Sequence, residues 1–152
     1  MKALTVYQPW ASLIVAGIKR IETRPMRTGQ RDTLAIHAAK ASPLQTMAGM
    51  PYIDRERVLA IVDNELLVPA EDLPRGCLLG TVTVIDCLPA EIVGKVYNVG
   101  RAEHQLGDYT EGRYAWVLRD PRQLGWVIPC RGYQGLWNTS RELEEVLRGL
   151  TA

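Results

Sequence analysis

Residues 78–87 constrain the fold more than any other part of the chain. The segment follows Gly76, is rich in β-branched residues and is apolar almost throughout. Near-continuous apolarity over such a short run, bounded by turn residues, is typical of a strand that is buried on both faces. We therefore expect this strand to lie at the centre of a β-sheet.

Shorter segments with β character lie on both sides of it. We expect strands at residues 3–7, 19–24, 33–39, 112–119 and 126–130. In the second of these, Ile21 and Thr23 share one side and Glu22 and Arg24 share the other, because side chains alternate along a strand. Together with the central segment, these runs predict five to six short strands around one core.

Three segments have the spacing of amphipathic helices. The first begins at Pro9, which suits a first helical turn, and ends at Gly17. The second is expected to be capped by Asp54, and the third follows a capping-box sequence at residues 139–142. Their apolar stripes consist of Trp10, Leu13 and Ile14 in the first helix, Val58, Ile61 and Val62 in the second, and Leu143, Val146, Leu147 and Leu150 in the third.

The remaining segments are expected to be irregular. Residues 42–52 are rich in small residues and prolines and are expected to form a loop. Residues 88–107 have only weak helical character, and we expect an insertion that lies over the sheet.

These elements predict an α+β, β-rich fold. A doubly wound parallel sheet would need a glycine-rich phosphate loop after the first strand, which the sequence lacks, and several of the connections are too short for crossovers. A mixed or antiparallel barrel of five to six strands with flanking helices fits better. The length of 152 residues suits one domain that spans residues 1–152.

The overall charge limits the possible partners. The formal net charge is +1, which gives no general attraction for polyanions, so nucleic-acid binding would require Lys and Arg residues gathered locally. The longest apolar run near the start, residues 11–18, is far below the roughly 20 residues of a membrane-spanning helix. No membrane partner is therefore expected.

The cysteines and histidines indicate neither disulfides nor a metal site. Cys77, Cys87 and Cys130 are odd in number and form no CxxC pair, which favours reduced thiols in a cytoplasmic protein. Zinc needs about four ligands, and only His37 and His104 accompany these cysteines, without metal-type spacing. No metal or other cofactor is expected.

Four stretches, in this order along the chain, carry a resemblance to a known family. Residues 8–24 read QPWASLIVAGIKRIETR, residues 34–40 read LAIHAAK, residues 107–116 read GDYTEGRYAW and residues 132–137 read GYQGLW. With these motifs the sequence resembles the ASCH domain, a member of the PUA-like group. The stretches span most of the chain and leave mainly residues 42–74 and the last helix outside.

The resemblance implies a closed or nearly closed PUA-like β-barrel with a helix-lined cleft, in a family linked to RNA binding and RNA processing. Some members are similar to amidohydrolases that remove the acetyl group from acetylcytidine with a Lys after the first helix, a nearby Thr and a later carboxylate. Lys19 matches that Lys, but Glu22 occupies the position of the Thr nucleophile, and the adjacent Thr23 is expected on the other strand face. Glu103 or Asp108 is the candidate for the carboxylate. Other members have been described as ribonucleases or DNA-binding modules.

The residues themselves suggest a polar cleft. Lys19, Arg20 and Arg24 form either a cationic patch for phosphates or a solvated strand edge. The other candidate binding residues are Gln8 and Gln134, whose amides can read a base edge, Trp10 and Tyr114, which can stack on a base, and His37. Each of these residues can instead have a purely structural role. The amides can hold a turn or cap a helix, the aromatic rings can pack in the core, and the histidine can form a hydrogen bond with the backbone.

Three functions remain open from the sequence. The first is the binding of RNA, single-stranded nucleic acid or a modified nucleoside in this cleft. The second is a small hydrolase, either an amidohydrolase or a ribonuclease, in which Lys19 and Glu22 are the catalytic residues that handle protons. The third is an adaptor domain that binds another protein and no nucleotide.

Overall fold

The sheet combines six strands of unequal length. The computed structural model describes residues 1–151. The strands are β1 (Lys2–Val6), β2 (Ile21–Arg24), β3 (Thr33–Ala38), β4 (Cys77–Pro89), β5 (Tyr114–Pro129) and β6 (Leu136–Asn138). They lie in the order β2-β5-β4-β3-β1-β6. β1 and β3 are parallel, whereas the other neighbouring strands are antiparallel, so the sheet is mixed.

The central position predicted for residues 78–87 is confirmed. These residues belong to β4, which lies between β3 and β5, and its first six residues are all buried. The sheet curls around this strand into a half-barrel with flanking helices. β2 and β6 are its two edges, so the half-barrel remains open on one side.

Helices pack against both faces of the sheet. They are α1 (Trp10–Val15), α2 (Pro43–Met47), α3 (Tyr52–Leu66), α4 (Arg101–Gln105) and α5 (Arg141–Thr151), with short 3-10 helices at Ala70–Asp72 and Val93–Lys95. Across residues 1–151, none of the helices has both the length and the apolar character needed to cross a bilayer.

α1 joins two parts of the core. Ile14 packs with the strands, whereas Leu13 packs with Val58 and Val62 of α3. α1 ends before Gly17, which has a φ of 78°, a backbone conformation that glycine adopts without steric cost. The predicted first helix and its glycine stop are therefore confirmed.

Three predicted element boundaries are wrong. Residues 42–52 contain α2, which begins at Pro43, a residue that is well suited to a first helical position. Asp54 does not cap its helix, because α3 already begins at Tyr52 and Asp54 lies in the first turn. Residues 112–119 and 126–130 do not form separate strands but fall largely within β5. β4 pairs with both ends and the middle of β5, and shifts in register accommodate the residues of β5 that have no partner.

The last helix is only partly as predicted. The hydroxyl of Ser140 accepts a hydrogen bond of 3.2 Å from the backbone N–H of Leu143, as expected for a helix N-terminus. Leu147 is fully buried and packs with Leu143 against the sheet. Val146 and Leu150 are exposed by 43% and 36%, so the buried stripe is narrower than the sequence indicated.

The insertion at residues 88–107 lies over the edge of the sheet, as expected. Val93 is buried and packs with Ile21 of β2 and with Ala115 and Val117 of β5. The insertion thereby covers one side of the edge strand that carries Glu22 and Arg24.

Candidate functional site

Three adjoining cavities form a groove beside β1, β2 and the loop before β6. The basic cavity has a volume of about 570 Å³, the Trp10 cavity about 330 Å³ and the bridging cavity about 260 Å³. The bridging cavity shares Thr5, Tyr7 and Arg24 with the basic cavity, and Trp10, Glu22, Thr23 and Arg113 with the Trp10 cavity. The three cavities therefore adjoin one another, and together they are called the groove.

The basic cavity is defined by its positive charge. Its walls are formed by Thr5, Tyr7, Arg24, His37, Ala39, Lys40, Arg131, Gly132, Tyr133, Gln134 and Gly135. This set includes Arg24, Lys40 and Arg131 but no carboxylate. The residues Tyr7 and Tyr133 are 56% and 51% exposed. A ligand in this cavity would therefore meet three cations and two accessible aromatic rings.

One wall of the basic cavity is a chain of three hydrogen bonds. Nε1 of Trp137 donates to Oγ1 of Thr5 at 3.1 Å, and Nδ1 of His37 lies 3.3 Å from the same oxygen. Nε2 of His37 lies 2.9 Å from the carbonyl oxygen of Cys130. Because a carbonyl can only accept, Nε2 carries the proton of the neutral ring, and Nδ1 accepts from the threonine hydroxyl. Both ring nitrogens are thus engaged within the protein.

The charge state of His37 follows from this setting. Burial lowers the pKa of His37, the hydrogen bond to the Cys130 carbonyl opposes that shift, and the charge of Lys40 adds to the lowering. The ring is therefore neutral at neutral pH and bonded to the backbone. This is the structural alternative that the sequence left open for His37, although the ring also lines the basic cavity.

Gly132 allows the loop before β6 to close against this wall. A Cβ atom at this position would lie 2.6 Å from Oγ1 of Thr5 and would also overlap the ring of His37. No side chain fits here unless the wall moves. The absence of a side chain at residue 132 therefore sets the position of Arg131 and Tyr133 at the cavity rim.

A second group of charged side chains lies between the cavities. The carboxylate of Glu22 lies 4.0 Å from Nζ of Lys19 and 3.8 Å from Nη2 of Arg24. Nη2 of Arg24 also donates to the carbonyl oxygen of Thr5 at 3.0 Å, which fixes the guanidinium between β1 and β2. The strand alternation that was predicted for Glu22 and Arg24 therefore brings them to one side.

Lys19 is inside the protein and not on its surface. Its side chain is 1% exposed, and its ammonium group donates to the carbonyl oxygen of Ile21. Burial lowers the pKa of the Lys19 amine, while the charges of Glu22 and Glu103 oppose this shift. The cationic patch of Lys19, Arg20 and Arg24 is therefore not assembled, because the first of these cations cannot reach a phosphate.

The two candidate carboxylates have different positions. Glu103 accepts hydrogen bonds of 2.9 Å from the backbone N–H groups of Arg20 and Ile21, and its charge acts on Lys19. Asp108 is largely exposed, accepts from Thr110, and lines the Trp10 cavity. Its hydrogen bonds to Thr110 lower the pKa of Asp108.

Thr23 lines the same groove as Glu22. It belongs to both the Trp10 cavity and the bridging cavity, although alternation along β2 predicts the opposite face. Its hydroxyl oxygen accepts a hydrogen bond of 3.1 Å from the backbone N–H of Asp108. The hydroxyl is thus held against the end of the insertion, at the edge of the groove.

Gln8 has a structural position. Its side chain is completely buried, and its Nε2 donates to Oγ of Ser12 and to the carbonyl oxygen of Pro74, both at 2.7 Å. Its Oε1 accepts from the backbone N–H of Ser12 at 3.0 Å. Both amide protons are used within the chain, so this side chain lies outside the groove and holds the start of α1.

The remaining candidates are divided between the groove and the core. Trp10 lines the Trp10 cavity and the bridging cavity, and Gln134 lines the basic cavity. Tyr114 lies outside these three cavities, packs against the core, and has the guanidinium of Arg27 5.3 Å from its ring centre. The groove therefore brings together Trp10, Glu22, Arg24, His37 and Gln134, without Gln8, Lys19 and Tyr114.

The comparison with protein families agrees with this fold. The family model of the ASCH domain matches residues 4–128, which is most of the chain. The chain belongs to the ASCH domain family. The resemblance inferred from the four sequence stretches is therefore confirmed.

Curated relatives match this ASCH domain over much of its length. It is similar to activating signal cointegrator 1 of Homo sapiens, with 27% identity over 142 residues and 93% of this chain covered. The protein of the same name from Mus musculus is 25% identical over 142 residues, again with 93% of this chain covered. The chain spans only 23% of the length of each of these relatives.

Solved structures support the fold of this ASCH domain. ASCH from Zymomonas mobilis aligns with a TM-score of 0.57 and 15% identity, covering 99% of this chain and 95% of that chain. A mutant of the Zymomonas protein aligns with a TM-score of 0.56 and 16% identity, covering 99% and 98%. The predicted PUA-like α+β architecture is thereby confirmed.

Sequence reasoning missed most of the cations that surround the basic cavity of this ASCH domain. Lys40 lies in one of the family-like stretches and Arg131 immediately precedes another, but neither was a candidate. Tyr133 was also missed, although it neighbours Gln134. Arg131 and Tyr133 could have been found from their position beside or within the GYQG turn, because binding residues are often carried by loops.

Metal ligation has no support from the geometry. Within residues 1–151, no group of three or more His, Cys, Asp and Glu side chains is arranged to hold a metal ion. The groove of this ASCH domain therefore offers cations, hydrogen-bonding groups and aromatic rings as its chemical resources.

Proposed function

We propose that this ASCH domain binds RNA, or another single-stranded nucleic acid or nucleotide, in the groove that includes the basic cavity. The observation that carries the proposal is the lining of that cavity by Arg24, Lys40 and Arg131 without any carboxylate. The protein as a whole has a formal net charge of only +1, so this concentration of positive charge is local.

Phosphate groups are the ligands that best suit these three cations. Each Lys or Arg that contacts a phosphate releases condensed counterions, which favours binding and makes it sensitive to salt. Arg24 is already oriented by its bond to the carbonyl oxygen of Thr5, so little rotamer freedom is lost when a ligand binds. The cavity therefore supplies both attraction and position for a nucleic-acid backbone.

The aromatic rings favour an unpaired strand over a duplex. The exposed rings of Tyr7 and Tyr133 lie at the rim of the same cavity, where they can stack on bases. Bases are available for such stacking when they are splayed out of a helix, as in single-stranded loops and ends.

Binding to a labelled single-stranded RNA, measured by fluorescence anisotropy at several salt concentrations, tests the proposal. We expect Lys40→Ala and Arg131→Ala to weaken binding and to reduce the slope of log K against log salt by about 0.7 each. Lys95→Ala removes an exposed cation away from the groove and serves as the matched control. Both groove cations are at the rim, so thermal unfolding should show intact folding in each variant.

Two results would contradict the proposal. Equal affinity and equal salt dependence in the groove variants and the control would exclude the basic cavity as the binding surface. If RNA, single-stranded DNA and free nucleosides all fail to bind, the adaptor function becomes the better account.

Hydrolysis of a nucleic acid or nucleoside is the second candidate, and the buried pair of Lys19 and Glu22 favours it. Burial lowers the pKa of the Lys19 amine, which brings the neutral, proton-accepting form of the amine closer to neutral pH. Glu22 lines the groove beside it and is accessible to a substrate.

Purified protein incubated with acetylcytidine and with labelled RNA tests this candidate. Turnover that is lost in Glu22→Ala but retained in Glu65→Ala, an exposed carboxylate on α3, would support hydrolysis at this site. Turnover that persists in Glu22→Ala would exclude the assigned pair.

We include a cytoplasmic location in the proposal. Cys77, Cys87 and Cys130 are free thiols, and burial raises the pKa of Cys77 and of Cys130. The raised pKa values favour the protonated, less reactive form of Cys77 and Cys130, which suits structural cysteines in a reducing compartment.

A further inference from the structure

The carboxylate of Glu22 has hydrogen-bonding capacity that the protein does not use. Its side chain is only 11% exposed, and its two cationic neighbours stand at 4.0 Å and 3.8 Å, beyond the usual hydrogen-bond distance of about 2.7–3.2 Å. Among residues 1–151, no donor lies within hydrogen-bond distance of either oxygen. A buried carboxylate normally accepts several such bonds, so this one is available to a donor that enters the groove.

Arg24 places donors directly beside these acceptors. Its Nη2 is the atom that lies 3.8 Å from Glu22, and the guanidinium lines both the basic cavity and the bridging cavity. One donor of the five in the guanidinium is used on the carbonyl of Thr5, which leaves others to face the groove. The groove therefore presents a guanidinium donor of Arg24 next to the two carboxylate oxygens of Glu22, which are acceptors.

Among the bases, guanine complements this arrangement best. The Watson–Crick edge of guanine carries one acceptor, O6, next to two adjacent donors, N1–H and the N2 amino group. Cytosine and adenine each present one amino donor next to a ring-nitrogen acceptor, and uracil presents one N–H between two carbonyl oxygens. Each of these bases would set an acceptor against the carboxylate, and unpaired acceptors that face each other in a buried site are costly.

The surrounding groove supplies the other contacts that a base needs. The indole of Trp10 lines the bridging cavity and the Trp10 cavity together with Glu22 and forms an aromatic wall there. The basic cavity adjoins the bridging cavity through Arg24, and its cations can hold a phosphate next to the base. The contacts to the base and to the backbone thus lie in adjoining cavities.

We infer that the pair of Glu22 and Arg24 reads the Watson–Crick edge of an unpaired guanine. Glu22 accepts from N1–H and the N2 amino group, and Arg24 donates to O6. The inference rests on the proposed nucleic-acid binding and adds to it the identity of the preferred base. It gives Glu22 a role in recognition, whether or not the domain also catalyses a reaction.

Short RNAs that differ at one position test the inference without any change to the protein. Affinities for UUGUU, UUAUU, UUCUU and UUUUU are compared at fixed salt by competition anisotropy. A bidentate base contact discriminates by at least about fivefold, so UUGUU should bind at least that much more tightly than the others. Replacing the guanosine of UUGUU by inosine removes the N2 amino group. The resulting RNA should bind with an affinity between those of UUGUU and UUUUU.

Glu22→Gln tests the assignment to this side chain. Glutamine keeps the shape of glutamate but replaces one acceptor by an N–H₂ donor, which opposes the guanine N1–H. The ratio of the affinities for UUGUU and UUUUU should fall towards one. Glu65→Gln makes the same chemical change at an exposed position of α3 and should retain the ratio. Thermal unfolding identifies any loss of folding in Glu22→Gln, and the inosine measurement stands independently of it.

The outcomes separate this inference from the proposed function. If all four RNAs bind equally well and Lys40→Ala weakens each of them, the groove binds nucleic acid but guanine reading is refuted. A preference for another base, or a guanine preference that survives Glu22→Gln in a folded protein, also refutes it. If no RNA binds, both the proposed function and the inference fail.

Discussion

Substituting Gly132 by alanine should damage both the stability of the domain and its groove. The new Cβ atom would lie 2.6 Å from Oγ1 of Thr5 and would overlap the ring of His37. Neither neighbour can move freely. The histidine is bonded to the carbonyl of Cys130, and the threonine is bonded to the indole of Trp137.

The size of the effect follows from these contacts. Inserting one methyl group into a close-packed site costs about 1–3 kcal/mol. Displacing the loop also breaks at least one hydrogen bond of the chain from Trp137 to Cys130, at about 1 kcal/mol. The sum, about 2–4 kcal/mol, corresponds to a fall in Tm of about 4–16 °C for a domain of this size.

Thermal unfolding followed by circular dichroism measures this change, with Gly29→Ala as the matched control. No atom lies within 4 Å of a Cβ built at Gly29, so that variant should keep the Tm of the parent protein. RNA affinity should also fall in Gly132→Ala, because the same loop carries Arg131 and Tyr133. Equal Tm values for the two alanine variants would refute the argument that residue 132 is sterically required to be glycine.

Two further predictions concern the core and the response to pH. Gln8→Leu leaves the carbonyl of Pro74 and the N–H of Ser12 without their partner, so the free energy of unfolding in urea should fall by about 2–4 kcal/mol, whereas Gln45→Leu on the surface of α2 should change it little. Because burial lowers the pKa of His37 below its ordinary value of 6.5, the unfolded chain binds more protons than the folded protein as the pH falls. The free energy of unfolding should therefore be highest above pH 6.5 and should decline below it. Urea unfolding at several pH values measures this decline, which should be smaller in His37→Gln. Parallel declines in the two proteins would exclude His37 as the cause.

Much of the fold could be predicted from local patterns. The run at residues 78–87 is apolar on both faces, and only a central strand buries both of its faces, so its position in the sheet followed directly. Boundaries were harder to predict where long-range pairing decides them. The strands expected at residues 112–119 and 126–130 belong to one strand, because β4 pairs with both ends and the middle of β5 across shifts in register.

The site was predicted less completely, because its parts come from distant segments. Arg24, His37 and Gln134 were candidates from three separate stretches and line the basic cavity. No local pattern showed that Lys40 and Arg131 line the same cavity. Distance along the chain has no simple relation to distance in space.

Burial of polar side chains was the other feature that the sequence did not reveal. A lysine next to a polar strand reads as a surface residue, yet Lys19 turns inward to the carbonyl of Ile21 and the charge of Glu22. Gln8 is buried because its amide meets Pro74, a residue 66 positions away. Such partners are set by the tertiary fold.

The position of β1 has a consequence for synthesis on the ribosome. β1 emerges before the other five strands of the sheet, but on one side it pairs with β6, at residues 136–138, which is the last of them. Until residues 136–138 are available, β1 of a nascent chain has one edge without a hydrogen-bonding partner. Such an edge is a template for aggregation between neighbouring polypeptides. Completion of the half-barrel therefore has to wait until residues 136–138 have left the exit tunnel.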